Sequence, residues 1–190
     1  MQEIFDLQWK LNIYILKNIG IDFLSLLENP EQKTVWIENC RKALSAELAE
    51  LVREVDAYGT DTQNGRVEVV DMLHFLVTLS HLVDVDPSEI PVPAAAPDHV
   101  PSFDACVIRT FLALDDLQNS LKWKWWAKGG GFKPDKARQA VLDLWKCFSQ
   151  FCTLFAMDFQ TVKDVYVEKN RVNFKRQDQH YNEDTKRSDH

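Results

Sequence analysis

Glu47 and Glu50 stand three residues apart in "SAELAEL", and Glu68 and Asp71 repeat that spacing in "RVEVVDML". On a helix, a three-residue spacing places both carboxylates of a pair on one face. The turn between the two segments is short, which makes the helices antiparallel neighbours and lets the pairs face each other. Four converging carboxylates repel unless hard cations lie between them. Mg²⁺ suits such a set, because it takes oxygen ligands and shares its sphere with water and phosphates. An isolated ExxE is ordinarily a solvated helix face, and the same holds for Glu54 one turn on. The second pair is different. Glu68 and Asp71 lie among Val67, Val69, Val70, Met72, Leu73, Phe75 and Leu76, on a helix apolar almost all round and hence expected to be buried. Burying an unpaired carboxylate is costly, so this pair demands a cation, either a metal or a basic side chain. His74, on the same helix, is a lone histidine on an apolar segment, where a structural role is the ordinary one.

A second chemical strip lies near the other end. "VYVEKNRVNFKRQDQHY", Val165 to Tyr181, holds four basic residues against two acidic ones in a chain of net charge −7. Tyr166, Lys169, Asn173 and Arg176 fall at i, i+3, i+7 and i+10, one face of a helix. Val165 and Val172 mark a different, apolar stripe. Two cations, an amide and a phenol on one face can bind an anion, or can form a solvated surface.

Helical periodicity organises the rest. "EIFDLQWKLNIYILKN" carries one broad apolar stripe and ends at Gly20. A long helix follows Asn29-Pro30 and closes at Gly59, and a third runs from about Arg66 to Val83. Residues 84–102 hold five of the seven prolines and form a non-helical connector. "FDACVIRTFLALDDLQNSLKWKWWAK" reads as a helix stopped by Gly129-Gly130-Gly131. Pro134 starts another, and the last spans about Asp158 to Lys175. A faint echo links "AELAELVREV…VEVVDMLHFLVTL" with "LDDLQNSLKW…QAVLDLWKCFSQF", of a kind helix pairs produce by chance. No alternation of β-branched residues claims a sheet. The expected architecture is one all-α, multi-helix bundle spanning residues 1–190, with a mobile tail from about residue 177.

The acidic balance argues against general nucleic-acid binding. Cys40, Cys106, Cys147 and Cys152 show no zinc spacing and have apolar neighbours, so reduced, buried thiols in a cytoplasmic or nuclear protein are expected. The amino terminus shows no signal-peptide pattern. The most hydrophobic stretch contains Glu68, Asp71 and His74, which excludes a membrane span. The apolar circumference of Arg66 to Val83 asks for more cover than one small bundle offers, which points to a two-fold homodimer.

"NGRVEVVDMLHFL" preceded by "AELAEL", with "KNRVNFKRQDQHY" far downstream, resembles the dimeric, all-α dUTPase family. That family sits among the all-α NTP pyrophosphatases, with MazG-like proteins and phage dCTP/dUTP pyrophosphatases. "LQWKLN" is similar to the family's LQxxLN, Trp36 precedes Glu47 by eleven residues, and a WKxxW-type element stands at Trp123 to Trp126. These matches span residues 7–181. The resemblance implies Mg²⁺-dependent hydrolysis of dUTP to dUMP and pyrophosphate, which cleanses the nucleotide pool and supplies dUMP for thymidylate synthesis, by a homodimer. It places Mg²⁺ and the triphosphate on Glu47, Glu50, Glu68 and Asp71, with Glu47 as the base for the attacking water. It gives phosphate and nucleoside contacts to Lys169, Asn173, Arg176 and Tyr181, base recognition to Gln8 and Asn12, and support of the acidic site to His74. Two features depart from the family pattern. "VREVDAYGT" stands where the Trp-Lys element usually follows ExxE, and His180 replaces a Gly. A dCTP, mixed dCTP/dUTP or broader MazG-like pyrophosphatase is therefore an alternative substrate reading. A non-catalytic helical protein using its Trp-rich surface for a partner is an alternative of another class.

Overall fold

The helix from Gln63 to Leu82 is the one around which the others assemble in the computed structural model, which describes residues 1–93 and 102–178. In chain order the elements are α1 (Gln2–Asn18), α2 (Phe23–Glu28), α3 (Pro30–Tyr58), α4 (Gln63–Leu82), a 3₁₀ turn at Pro87–Glu89, α5 (Phe103–Asn119), α6 (Pro134–Leu154) and α7 (Phe159–Asp178). No strand occurs among the described residues. The all-α expectation holds.

Local chemistry explains the boundaries. Asn29 caps α3 by accepting from the Glu31 and Gln32 amides at 3.0 and 3.1 Å, with Pro30 at the first position. Gly59, at φ 81°, supplies the left-handed residue that ends that helix. Three residues later the Thr62 hydroxyl accepts from the Gly65 amide at 2.9 Å and starts α4. The short turn brings α3 and α4 side by side, as the spacing predicted.

α4 packs against α1, α3, α6 and α7, and α5 completes a second helical hairpin with α6. Leu73, Val69, Val70 and Val77 are fully buried, and so are Trp145 and Phe151 of α6. The Trp145 indole N–H donates to the Ser80 hydroxyl at 2.8 Å, pinning α6 to α4 in the core. The apolar circumference of α4 thus finds its cover among the other helices of the chain, where its pattern alone pointed to a partner subunit. Large exposed apolar groups lie instead on α5, at Ile108, Phe111 and Leu112.

The structure corrects the expected extent of α5. That helix ends at Asn119, and "KWKWWAKGGG" forms an irregular loop closed by the Lys133 amide donating to the Ser120 carbonyl at 2.8 Å. Gly129 and Gly130 take left-handed φ values of 70° and 80° there. Trp125 and Trp126 are exposed by 85% and 61% and pack edge-on, so these indoles are not core. The proline-rich connector begins as an anchored segment. Asp86 and Glu89 form a reciprocal cap, and Arg138 of α6 pairs with Glu89. Residues 94–101 of the connector lie outside the described residues, as do residues 179–190 of the expected mobile tail. Residues 177 and 178 belong to α7. No described helix is long and apolar enough to cross a membrane.

Candidate active site

Glu47 and Glu50 project from α3 toward Glu68 on α4. Ligand oxygens of these three lie within 4.8 Å of one another. Asn64, in the first turn of α4, donates to Glu68 Oε1 at 3.2 Å and Glu54 Oε2 at 3.0 Å, and so ties the two helices together at the site. Burial, followed by the charges of Asp71 and Glu50, pushes the Glu68 carboxyl above its usual range.

Asp71 stands outside the three-oxygen cluster. Its Oδ2 pairs with Lys169 Nζ of α7 at 2.8 Å, with both side chains about four-fifths buried. Of the two cations that a buried acid could demand, Asp71 has the basic side chain. Burial still outweighs the pull of Lys169 and Arg176 and holds the Asp71 carboxyl above its ordinary value, and Glu50 pushes the same way. The four acids therefore form one electrostatic system with three convergent members.

One turn beyond Asp71 the surface opens into a cavity of about 300 Å³. Gln8, Asn12, His74, Asn173 and Arg176 supply polar lining, and Trp36, Phe75 and Ile15 supply apolar walls. Gln8 and Asn12 sit one turn apart on the buried face of α1, among Ile4, Phe5 and Leu11. Two amides on an apolar stripe need partners, and they find them in each other and in Thr78. Gln8 Nε2 donates to Asn12 Oδ1 at 2.8 Å and to Thr78 at 3.2 Å. On the other side Gln8 Oε1 accepts from the Tyr166 hydroxyl at 2.7 Å and meets His74 Nδ1 at 2.9 Å. The Tyr166 ring stacks on His74 at 4.5 Å. Burial pushes His74 down to about 3, the Lys169 charge adding in the same direction, so the imidazole is neutral at physiological pH.

A nucleoside-sized cavity beside a carboxylate cluster, with cations of one helix facing both, is an arrangement for a phosphorylated nucleoside. A family model described as dUTPase matches residues 1–181. The chain belongs to the all-α dUTPase family. Membership carries dUTP diphosphatase activity and a nucleotide substrate, and dUTPases generally need a divalent metal. No curated protein and no solved structure matches the chain. The residues present fit such a metal: three carboxylates with mutually raised charge density and oxygen donors suit a hard divalent cation.

Within this dUTPase, α7 presents Lys169 to the acids, and Asn173 and Arg176 to the cavity, the single face expected from their spacing. Tyr181 lies outside the described residues. Trp36 lines the cavity, whereas the Trp123–Trp126 loop forms part of a different, lysine-walled depression. Three participants escaped the sequence reading as site residues. Tyr166 was visible only as a member of the α7 face, yet it is fully buried and bonded to Gln8. Thr78 follows His74 by one turn, a spacing that could have marked it. Asn64 gave no signal before the hairpin was known.

Proposed function

We propose that this protein hydrolyses dUTP to dUMP and pyrophosphate with Mg²⁺, and that the base enters the Gln8–Asn12–His74 cavity while the triphosphate reaches the Glu47–Glu50–Glu68 cluster. The observation that carries this reading is the continuity of one α7 face, which meets Asp71 through Lys169 and the cavity through Arg176. Glu47, Glu50 and Glu68 would hold the cation, with Asp71 beside them. The cation supplies neutralisation of phosphate charge and acidification of a water. Glu47 would accept the proton of a water that attacks the α-phosphorus in line with, and opposite to, the leaving pyrophosphate, so that the new P–O bond to dUMP forms as the bond to pyrophosphate breaks. Lys169 and Arg176 stabilise charge on the phosphate oxygens. Asn173 and Tyr181 orient the nucleotide. Trp36 and Phe75 exclude water from the base. The four cysteines are buried and unpaired, which fits a reducing compartment such as cytoplasm or nucleus. The exposed α5 face at Ile108, Phe111 and Leu112 is the surface best suited to a homodimer.

Pyrophosphate release from a panel of dUTP, dCTP, dTTP and purine deoxynucleotides tests the reading. dUTP should be turned over in preference to the others, and Glu47→Gln should abolish turnover while the circular-dichroism spectrum is retained. A preference for dCTP would reassign the base, equal turnover of all would assign a broad pyrophosphatase, and no turnover would leave a binding protein.

A further inference from the structure

The polar network beneath the cavity has a definite proton order. Thr78 carries one hydroxyl proton, and its two acceptors are the His74 carbonyl at 2.9 Å and Asn12 Oδ1 at 3.2 Å. Whichever takes it, the Thr78 oxygen faces Gln8 as an acceptor, so the Gln8 group 3.2 Å away is its NH₂. Gln8 Oε1 then points the other way, toward the Tyr166 hydroxyl and His74 Nδ1. A carbonyl oxygen only accepts, so Nδ1 must carry a proton. A neutral imidazole has one N–H, which leaves the lone pair on Nε2. The other arm follows the same logic. Gln8 Nε2 donates to Asn12 Oδ1, which turns the Asn12 NH₂ away from Gln8.

The network therefore ends in one bare acceptor, His74 Nε2, and one free donor, Asn12 Nδ2. Both atoms are buried without a hydrogen-bond partner among the described residues. Both side chains are more than nine-tenths buried, at 6% and 7% exposure, and both line the same cavity. Unpaired buried polar groups are rare because they are costly, and a pair of opposite sense in one cavity implies a ligand with the complementary edge.

We propose that Tyr166 and Gln8 are positioning residues that lock His74 in the Nδ1–H tautomer, so that His74 Nε2 and Asn12 Nδ2 form a preset acceptor–donor pair for a ring N–H beside a carbonyl. The imide edge of uracil, N3–H next to a carbonyl oxygen, is that complement. Cytosine meets the pair only with its exocyclic amine in place of N3–H, which shifts the ring along the cavity wall and displaces its sugar. A site that hydrogen-bonds a substrate N–H discriminates strongly against analogues lacking it, because its own groups are then left unpaired. This proposal rests on the reading of the cavity as the base pocket.

Long-range ¹H–¹⁵N correlation on ¹⁵N-histidine protein reads both ring nitrogens, with the His74 signals assigned through His74→Gln. His74 should show a protonated Nδ1 and a bare Nε2. Adding dUMP should shift the Nε2 signal, whereas 3-methyl-dUMP, which lacks the N3 proton, should leave it in place. Tyr166→Phe removes one donor to Gln8, so the two nitrogens should move toward a mixed-tautomer average. In that variant KM for dUTP should rise by roughly tenfold, the scale of one neutral hydrogen bond, with a smaller change in kcat. A protonated Nε2 in the free protein, or identical shifts with the two nucleotides, overturns the pair. Turnover of dUTP by the same preparation separates the failures. Turnover with the wrong tautomer sinks the lock alone, and absence of turnover with every deoxynucleotide sinks the pocket reading and the pair with it.

Discussion

Lowering the pH from 7.5 to 5.0 should cost the protein stability through two histidines. His74 is held near 3 by burial, and burial likewise lowers His81 to about 4 against a weaker upward pull from Asp6. Both titrate at about 6.5 in the unfolded chain. The unfolded state thus binds protons that the folded state refuses, and stability falls as pH drops below about 6.5. At pH 5.0 the gap covers about 1.5 units, which at 1.36 kcal/mol per unit is about 2 kcal/mol for His74. His81 should contribute somewhat less, because solvent reaches one side of its ring. Glu68 and Asp71 act with the opposite sign in the metal-free protein. Their folded pKa values are raised, so protonation on acidification stabilises the native state. Comparing each variant with wild type cancels that carboxylate contribution, so the measurement is urea unfolding at both pH values, with chelator, of wild type, His74→Gln and His81→Gln. Each variant should be less stable at pH 7.5, having lost a packed ring, yet lose less than wild type on acidification, by about 2 kcal/mol for His74→Gln and somewhat less for His81→Gln. For a chain of this size that corresponds to roughly 4–8 °C in Tm. A His74→Gln protein with the same pH slope as wild type would show that the imidazole is solvated or paired with a charge, and would remove the physical basis for its neutral state.

Three other outcomes follow from particular contacts. A Cβ on Gly65 would stand 2.5 Å from Phe155 Cε1, a ring that is 1% exposed, so Gly65→Ala should lower stability by roughly 1–2 kcal/mol as overpacking exceeds the gain in helix propensity; a more stable variant in urea titration would mean that the ring yields. Arg176→Ala should reduce kcat/KM for dUTP by roughly 10- to 100-fold, the scale of a charge-assisted hydrogen bond, while Val165→Ala, on the core-packed side of α7, should shift Tm and leave kinetics near wild type. Mg²⁺ should raise the Tm of wild type, and Glu68→Gln should raise the Tm of the metal-free protein and shrink that Mg²⁺ response, because it removes one of three crowded charges while keeping an acceptor for Asn64.

The fold class was legible because helical periodicity is local. α3 announces itself by Asn29-Pro30 at its start and a glycine at its end, α4 by an apolar run after a short polar turn, and the faces of α1 and α7 follow from spacing alone. Shorter features were not. α2 has six residues, too few to display a period, and its capping Asp22 stands in a stretch that also reads as a turn. The end of α5 was overrun because "LKWKWW" contains no helix breaker before the glycines. The loop that replaces it is held by the bond from Lys133 to Ser120, a contact that no local pattern signals.

Asp71 shows why the site was harder to read than the scaffold. Two acid pairs at helical spacing predict four ligands around a cation, and nothing in α3 or α4 distinguishes Asp71 from its neighbours. The distinction comes from Lys169, ninety-eight positions downstream, whose ammonium lies against that carboxylate only because α7 packs on both α1 and α4. Tyr166, one turn earlier on α7, reaches Gln8 by the same packing. A buried acid requires a cation, but its own helix does not determine which cation it receives. The strip that looked like an anion clamp thus has a second task in the unliganded protein. It neutralises one carboxylate and completes the hydrogen bonds of one amide, and under the proposed reading these two contacts set the charge facing the phosphates and the proton order facing the base.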